Sequence, residues 1–208
     1  MLKQVVKLGF PILLWMAIAL PLPAQSTRVE DLAPGKLLVA PRDAPDPHFA
    51  ETVILLIDYN TQGAMGLIVN RETKVPLSRA LQELKGTKGR SDAAYSGGPV
   101  ETSAVLALLR ARPKPEDARR VFGDVHLISS RALLEKTLAA GTDSGEFRVY
   151  LGYAGWGPRQ LQKEVELGGW HIFRGDADLV FDPDPNSMWR RLIRRVETQV
   201  AGLMKPYH

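Results

Sequence analysis

The sequence predicts an α+β fold on a mixed or largely antiparallel sheet. Two observations carry this. Strand-like and helix-like segments interleave irregularly, without a regular strand–helix–strand repeat. Two successive β-rich segments, Thr52–Asp58 and Ala64–Asn70, are close enough to form a hairpin. No internal repeat recurs at a solenoid period, so a stacked array is excluded.

The segments follow in order. Residues 25–34 read as a leader strand or a loose linker. Leu37–Ala40 is a short apolar run, and Pro41–Pro47 is a loop of three prolines and two aspartates. Thr52–Asp58 is apolar throughout, as expected of a strand buried on both faces. Asp58–Gly63 reads as a turn longer than two residues, leading into Ala64–Asn70. Leu77, Ala80, Leu81 and Leu84 give helical spacing over Leu77–Lys85. Gly86–Arg90 is a charged loop. Ala93–Ser96 and Ala104–Leu109 are strands, 112–120 is a solvated excursion, and Val121–Ile128 reads as one strand. Ser129 or Ser130 caps a helix through Leu138, ended by Gly141.

Phe147, Val149, Leu151 and Tyr153 alternate, so a strand would place them on one face. Gly152–Gly157 then holds three glycines and two aromatics in six residues. This stretch suits a tight strand-to-helix turn with an aromatic wall, and Pro158 fits the first helical position. Trp170–Phe173 is a short strand, and Ala177–Phe181 is strand or turn. Asn186 or Ser187 caps a last helix, along which Met188, Leu192, Ile193, Val196, Val200 and Leu203 keep helical spacing.

The chain of 208 residues, 45% hydrophobic and 24% charged, is long enough for one domain with a sizeable core. Residues 1–24 stand apart. Lys3 and Lys7 precede a nearly unbroken apolar run from Leu8 to Leu20, and Leu22-Pro23-Ala24 follows. This is the pattern of a secretory signal peptide. A permanent span needs roughly 20 apolar residues. The expected division is therefore a signal peptide, 1–24, and a single domain, 25–208, in the periplasm or outside the cell. The alternatives are an uncleaved N-terminal membrane anchor, or an upstream start codon ahead of a cytoplasmic protein.

Removing that segment lowers the formal charge from +4 to +2, because Lys3 and Lys7 leave and no acid does. Net charge then gives little support to nucleic-acid binding. Cysteine is absent, which excludes disulfides, thiol nucleophiles and Cys-ligated zinc. A domain of this size buries on the order of 70% of its unfolded surface and needs no covalent staple.

Strong catalytic signatures are missing. There is no phosphate loop ending in Lys-Ser or Lys-Thr, and no Gly-x-Ser-x-Gly nucleophile turn. His48, His126, His171 and His208 lack metal-ligand spacing, so no metal and no cofactor is expected. Asp46 and His48 share one loop, either as an acid–base pair or as a turn in which Asp46 caps backbone N–H groups and Phe49 plugs the core. Asn70-Arg71 either orients and clamps an anion or closes a turn. Gly97-Gly98-Pro99 either presents N–H groups to an anion or forms a tight turn. Arg190, Arg191, Arg194 and Arg195 form a basic stripe, read as a solvated helix face or as a surface for phosphate, nucleic acid or anionic membrane.

Taken together, these blocks resemble the YqgE/AlgH family. Gly35–Ala40 resembles its opening strand. Asp46-Pro47-His48-Phe49-Ala50-Glu51-Thr52-Val53 resembles its Asp-Pro-x-Phe-x-x-Thr-Val motif, and Gly63–Arg71 its Gly-Ala-x-Gly-Leu-x-x-Asn-Arg motif. Tyr95–Val100 and Gly152–Trp156, with Gln160, Leu161 and Glu164, complete the set. The resemblance implies a strongly bent sheet closed into a pseudo-barrel and flanked by helices. It also implies an uncharacterised protein family often described as transcriptional regulators, with no established reaction. Tyr59 stands where a typical member has His, and Glu72 where it has Pro.

The expected function is a non-enzymatic binding or regulatory protein taking a small ligand or a protein partner. Its candidate surface is Asp46, His48, Asn70, Arg71, Gly97, Gly98, Tyr153 and Trp156, and no catalytic residue is assigned. The alternatives are a hydrolase-like enzyme using the Asp46, His48 and Arg71 region, and DNA-linked regulation if the protein is cytoplasmic. Export would remove contact with nucleic acid, and processing would leave no permanent membrane span.

Overall fold

The computed structural model describes residues 25–203. The signal-peptide expectation for 1–24 lies outside the described residues. In chain order the strands are β1 (Gln25–Ser26), β2 (Leu37–Val39), β3 (Val53–Asn60), β4 (Gly63–Ile68), β5 (Glu72–Pro76), β6 (Ala93–Ser96), β7 (Val100–Arg110), β8 (Arg119–Phe122), β9 (Val125–Ile128), β10 (Phe147–Trp156) and β11 (His171–Phe173). The helices are α1 (Leu77–Ala80), α2 (Arg131–Ala139), α3 (Gln160–Glu166), α4 (Ala177–Val180) and α5 (Pro185–Leu203).

The strands form one strongly curled half-barrel in the order β1-β11-β2-β3-β4-β10-β7-β9-β8, with β5 and β6 branching from β10. Every pairing is antiparallel except β6 with β10. The expected mixed, largely antiparallel α+β architecture is therefore the observed one.

Strand alternation sorts the core. Leu37, Val39, Val53, Leu55, Ile57, Leu67 and Val69 point into the concave side, where α5 covers them with Met188, Trp189, Leu192, Ile193 and Val196. Their neighbours Leu38, Ile54, Leu56 and Ile68 point to the convex side, under Leu161 and Val165 of α3. On the other half of the sheet, Ala107, Leu109, Ile128, Phe147 and Val149 lie under α1 and α2. Each of Val53–Ile57 is fully buried, as their unbroken apolar run requires. Burying one such side chain stabilises by about 1.5–3 kcal/mol.

Strand β10 departs from simple alternation. Its register slips between Leu151 and Tyr153, at Gly152, whose φ is +70°. Before the slip, Phe147, Val149 and Leu151 share the α1–α2 face. After it, Tyr153 packs on the concave cluster, while Ala154 and Trp156 pack with α3. The expected common face for Phe147 through Tyr153 therefore ends at the bulge. The motif glycines and aromatics belong to the strand itself, which runs to Trp156. Pro158 precedes the helix, which opens at Gln160 after Arg159 in a left-handed conformation (φ +62°).

Other boundaries moved for local reasons. The first hairpin closes through two residues, Thr61 and Gln62, because a bulge between Leu56 and Asp58 lets β3 run on to Asn60 opposite Gly63. Asn60 Oδ1 accepts the Gln62 N–H at 2.7 Å. Val121–Ile128 divides into β8 and β9 around Gly123, which has φ +48°. The helix expected over Leu77–Lys85 is one turn, and the exposed edge strand β5 precedes it. Ala177–Val180 is helical, capped by Asp176. The last helix starts at Pro185, with Asp184 Oδ1 accepting from Ser187 N–H at 3.3 Å, so the cap precedes the residues expected to provide it. Val200 keeps its helical spacing but is exposed.

Arg148 of β10 is a buried cation. It donates to the carbonyls of Ser144 (3.2 Å), Val180 (3.0 Å) and Asp182 (2.5 Å), and its guanidinium lies 4.9 Å from the Tyr95 ring centre. It thereby ties the chain between α4 and α5 to β10.

Candidate functional site

The loop before β3 and the end of β4 meet through side chain to backbone bonds. Asn70, nearly buried, accepts the Val53 N–H at 2.7 Å and donates to the Glu51 carbonyl at 2.9 Å. It supplies sheet-like pairing where the ladder has ended. Arg71 Nη1 donates to the His48 carbonyl at 2.8 Å and Nη2 to the Ala50 carbonyl at 3.2 Å. The two residues thus hold three carbonyls of the loop and the first N–H of β3. The sequence leaves Asn70-Arg71 open between an anion clamp and a structural turn. Their first task here is to hold chain.

Asp46 and His48 lie at the tip of that loop. Asp46 Oδ1 accepts from the His48 N–H at 2.8 Å and sits 3.0 Å from His48 Nδ1. Adjacency in sequence therefore does bring acid and imidazole together. The same carboxylate also closes the turn, so both readings of the loop describe one geometry. The side chains are 49% and 71% exposed. Phe49 points the other way and packs between Trp156 (centroids 6.2 Å) and Trp170 (5.7 Å), anchoring the loop to the core.

Gly97 and Gly98 are spent on close backbone packing. The Gly97 N–H donates to the Leu151 carbonyl at 2.8 Å, and its carbonyl accepts from Ile68 N–H at 2.9 Å. A Cβ on Gly97 would stand 2.2 Å from the Gly152 carbonyl oxygen, and one on Gly98 would stand 2.1 Å from the Tyr153 carbonyl carbon. The two glycines let this crossing lie directly against the β10 bulge. The Gly97 N–H is therefore not offered to an anion.

Tyr153 is half-buried, and its hydroxyl donates to Glu101 Oε1 at 3.1 Å. Burial first, and then this carboxylate, raise the hydroxyl's pKa, so it stays a donor. Trp156 is 5% exposed. Its indole N–H donates to Glu164 Oε2 at 2.9 Å, and Trp170 donates to the same oxygen at 2.8 Å. Glu164 Oε1 accepts from Gln160 Nε2 at 3.0 Å, while Gln160 Oε1 takes the Gly157 N–H at 3.0 Å. Trp156 is thus core with one polar tether. Glu101 and Trp170 are partners that no local spacing announces, being 52 and 6 residues from the groups they serve.

Among the described residues, no group of three or more His, Asp or Glu is arranged to hold a metal ion. His126 is 1% exposed, and neither ring nitrogen has a hydrogen-bond partner. Burial, then the charge of Arg120, lowers its pKa. No described helix is long and apolar enough to cross a membrane. The arginines of α5 do not act as one stripe. Arg191 is paired with Asp182, and Arg195 lines a groove beside Ser26–Arg28, leaving Arg190 and Arg194 on the outer face.

Comparison with known proteins agrees with this architecture. The AlgH-like family model matches residues 37–201. A UPF0301 protein of Streptomyces avermitilis is 34% identical over 184 residues, covering 84% of this chain and 92% of that one. A UPF0301 protein of Anaeromyxobacter sp. (strain K) is 34% identical over 183 residues, covering 83% and 92%. The solution structure of the AlgH protein from Pseudomonas aeruginosa superimposes with a TM-score of 0.65, at 29% identity, over 84% of this chain and 94% of that one. A crystal structure of a Corynebacterium diphtheriae protein gives 0.67 at 25% identity, over 79% and 87%. With its half-barrel, its motif blocks and this coverage, the chain belongs to the AlgH-like family of uncharacterised proteins.

Proposed function

We propose that this chain is a non-enzymatic binding protein, exported from the cytoplasm, that docks a partner through the loop carrying Asp46 and His48. One observation supports this above others. Asn70 and Arg71 fix three carbonyls of the loop and the N–H of Val53 that follows it, while the loop's acid and imidazole stay exposed. A recognition loop held in one shape loses little entropy on binding. A reaction would need a free clamp or an activated nucleophile. Both terminal nitrogens of Arg71 already donate to carbonyls, which weakens the hydrolase alternative. DNA-linked regulation draws little support from an arginine stripe with one member in an ion pair.

The docking test uses the protein bearing Asp46→Ala and His48→Ala, both at exposed sites. Immobilised wild type should retain a partner, identified by mass spectrometry, that the double variant loses by about tenfold or more at unchanged thermal midpoint. Equal retention by both would refute the docking surface. Export is tested separately by fractionation and N-terminal sequencing. A mature protein beginning near Gln25 in the periplasm is expected. A cytoplasmic product starting at Met1, with salt-sensitive DNA affinity, would overturn it.

A further inference from the structure

A groove of about 1050 Å³ opens at a part of the molecule that none of the eight motif residues lines. Its rim is formed by the end of β1 with Thr27 and Arg28, the segment from Arg174 to the start of α4, the turn between β8 and β9, and Arg195 of α5. Its apolar wall is Phe122, Ile172, Phe173 and Leu179.

The floor is rigid. A Cβ on Gly175 would stand 1.8 Å from the Gly35 carbonyl oxygen, and one on Gly35 would stand 2.7 Å from Phe122 Cβ. Two backbones therefore touch beneath one aromatic ring, and neither glycine tolerates a side chain.

The charges at the rim are unbalanced by pairing. Arg28, Lys36, Arg174 and Arg195 all line the groove, and none forms an ion pair among the described residues. The groove also holds Asp31, Asp124 and Asp176. Asp124 is already shared by Arg110 (3.4 Å) and Arg112 (3.3 Å). Asp176 accepts the Asp178 N–H at 2.9 Å as the cap of α4. Asp176 keeps its charge in that cap, so Asp31 and Asp176 together face four unpaired cations, an excess of two positive charges. Like charges gathered in a cleft focus field lines on it and raise the local concentration of anions. Three of the four are guanidinium groups, whose planar forks match phosphate oxygens.

We propose that this groove binds a small organic phosphate, one with at least two negative charges and a flat apolar group. The phosphate lies between Arg28, Arg174 and Arg195, and the apolar group lies on Phe122 and Leu179. The site shares no residue with the docking loop, so either assignment stands or falls alone.

The test measures binding by calorimetry and by thermal shift on the protein as its host processes it. The probes are ADP, AMP, pyrophosphate and adenosine. ADP is expected to bind saturably and to raise the thermal midpoint with concentration. AMP and pyrophosphate should bind more weakly than ADP, and adenosine should not bind. Arg174→Ala and Arg195→Ala, at exposed positions, should each weaken ADP by about tenfold with the unliganded midpoint unchanged. Higher salt should weaken it further. The proposal is overturned if none of the phosphates binds at millimolar concentration, or if both arginine variants bind ADP as the wild type does. It is also overturned if the groove arginines are needed only for retention on single-stranded DNA or on anionic phosphatidylglycerol vesicles.

Discussion

The Trp156 indole N–H donates to Glu164 Oε2 at 2.9 Å, from the last residue of β10 to the middle of α3. The same oxygen takes the indole of Trp170 at 2.8 Å. One carboxylate therefore satisfies two donors on side chains that are otherwise core. Glu164→Ala should destabilise the protein by about 2–4 kcal/mol, because two buried donors lose their acceptor. Glu164→Gln keeps an acceptor oxygen and should lose about half as much. Urea unfolding followed by tryptophan fluorescence measures both, and a near-neutral Glu164→Ala would mean that water replaces the carboxylate.

Gly152 sets which way the second half of β10 faces. Gly152→Ala places a Cβ 2.6 Å from the Gly98 carbonyl oxygen at a φ of +70°, and should destabilise by about 2–5 kcal/mol. Gly155→Ala is the control. Its nearest neighbour is the edge of the Tyr153 ring at 3.3 Å, and its φ is not positive, so it should lose less than about 1 kcal/mol. Equal losses at the two positions would contradict the bulge as the constraint.

Asn70→Ala removes an acceptor from Val53 N–H and a donor from the Glu51 carbonyl, and should destabilise by about 2 kcal/mol. Arg71→Ala should change stability less, since its bonds lie at the exposed side of the loop. Its signature is faster hydrogen exchange and proteolysis confined to residues 46–51. Uniform exchange across the molecule in Arg71→Ala would argue against a local clamp.

His126 makes stability depend on pH. Its folded pKa lies below the ordinary value of 6.5, through burial and then Arg120. The unfolded chain therefore binds its proton first as pH falls, and stability drops from about pH 6.5 downward until the folded imidazole also protonates. His171, half-buried, shifts in the same direction. His126→Phe should flatten the fall between about pH 6.5 and 5, and should stabilise the neutral-pH protein by about 1 kcal/mol, because an orphaned polar ring is replaced by an apolar one. An unchanged pH slope in urea titrations would show that water reaches the ring.

The sequence alone determined the class of the fold. Irregular alternation of strand and helix, the buried Val53–Ile57 run and the spacing from Met188 to Val196 are local patterns, and local patterns survive into the structure. The motif blocks also carried the family, since they rest on residue identity alone. Tertiary structure decided which face a residue served and what it touched. Tyr153 left the face of Phe147 because a single glycine shifted the register, and a period of two cannot show a missing step. Arg71 met the His48 carbonyl, and Gly98 met Tyr153, because separate strands crossed there. Those contacts involve backbone atoms that every residue possesses, so no spacing of side chains could announce them. The cations of the groove are scattered from Arg28 to Arg195, and only the curl of the sheet brings them together.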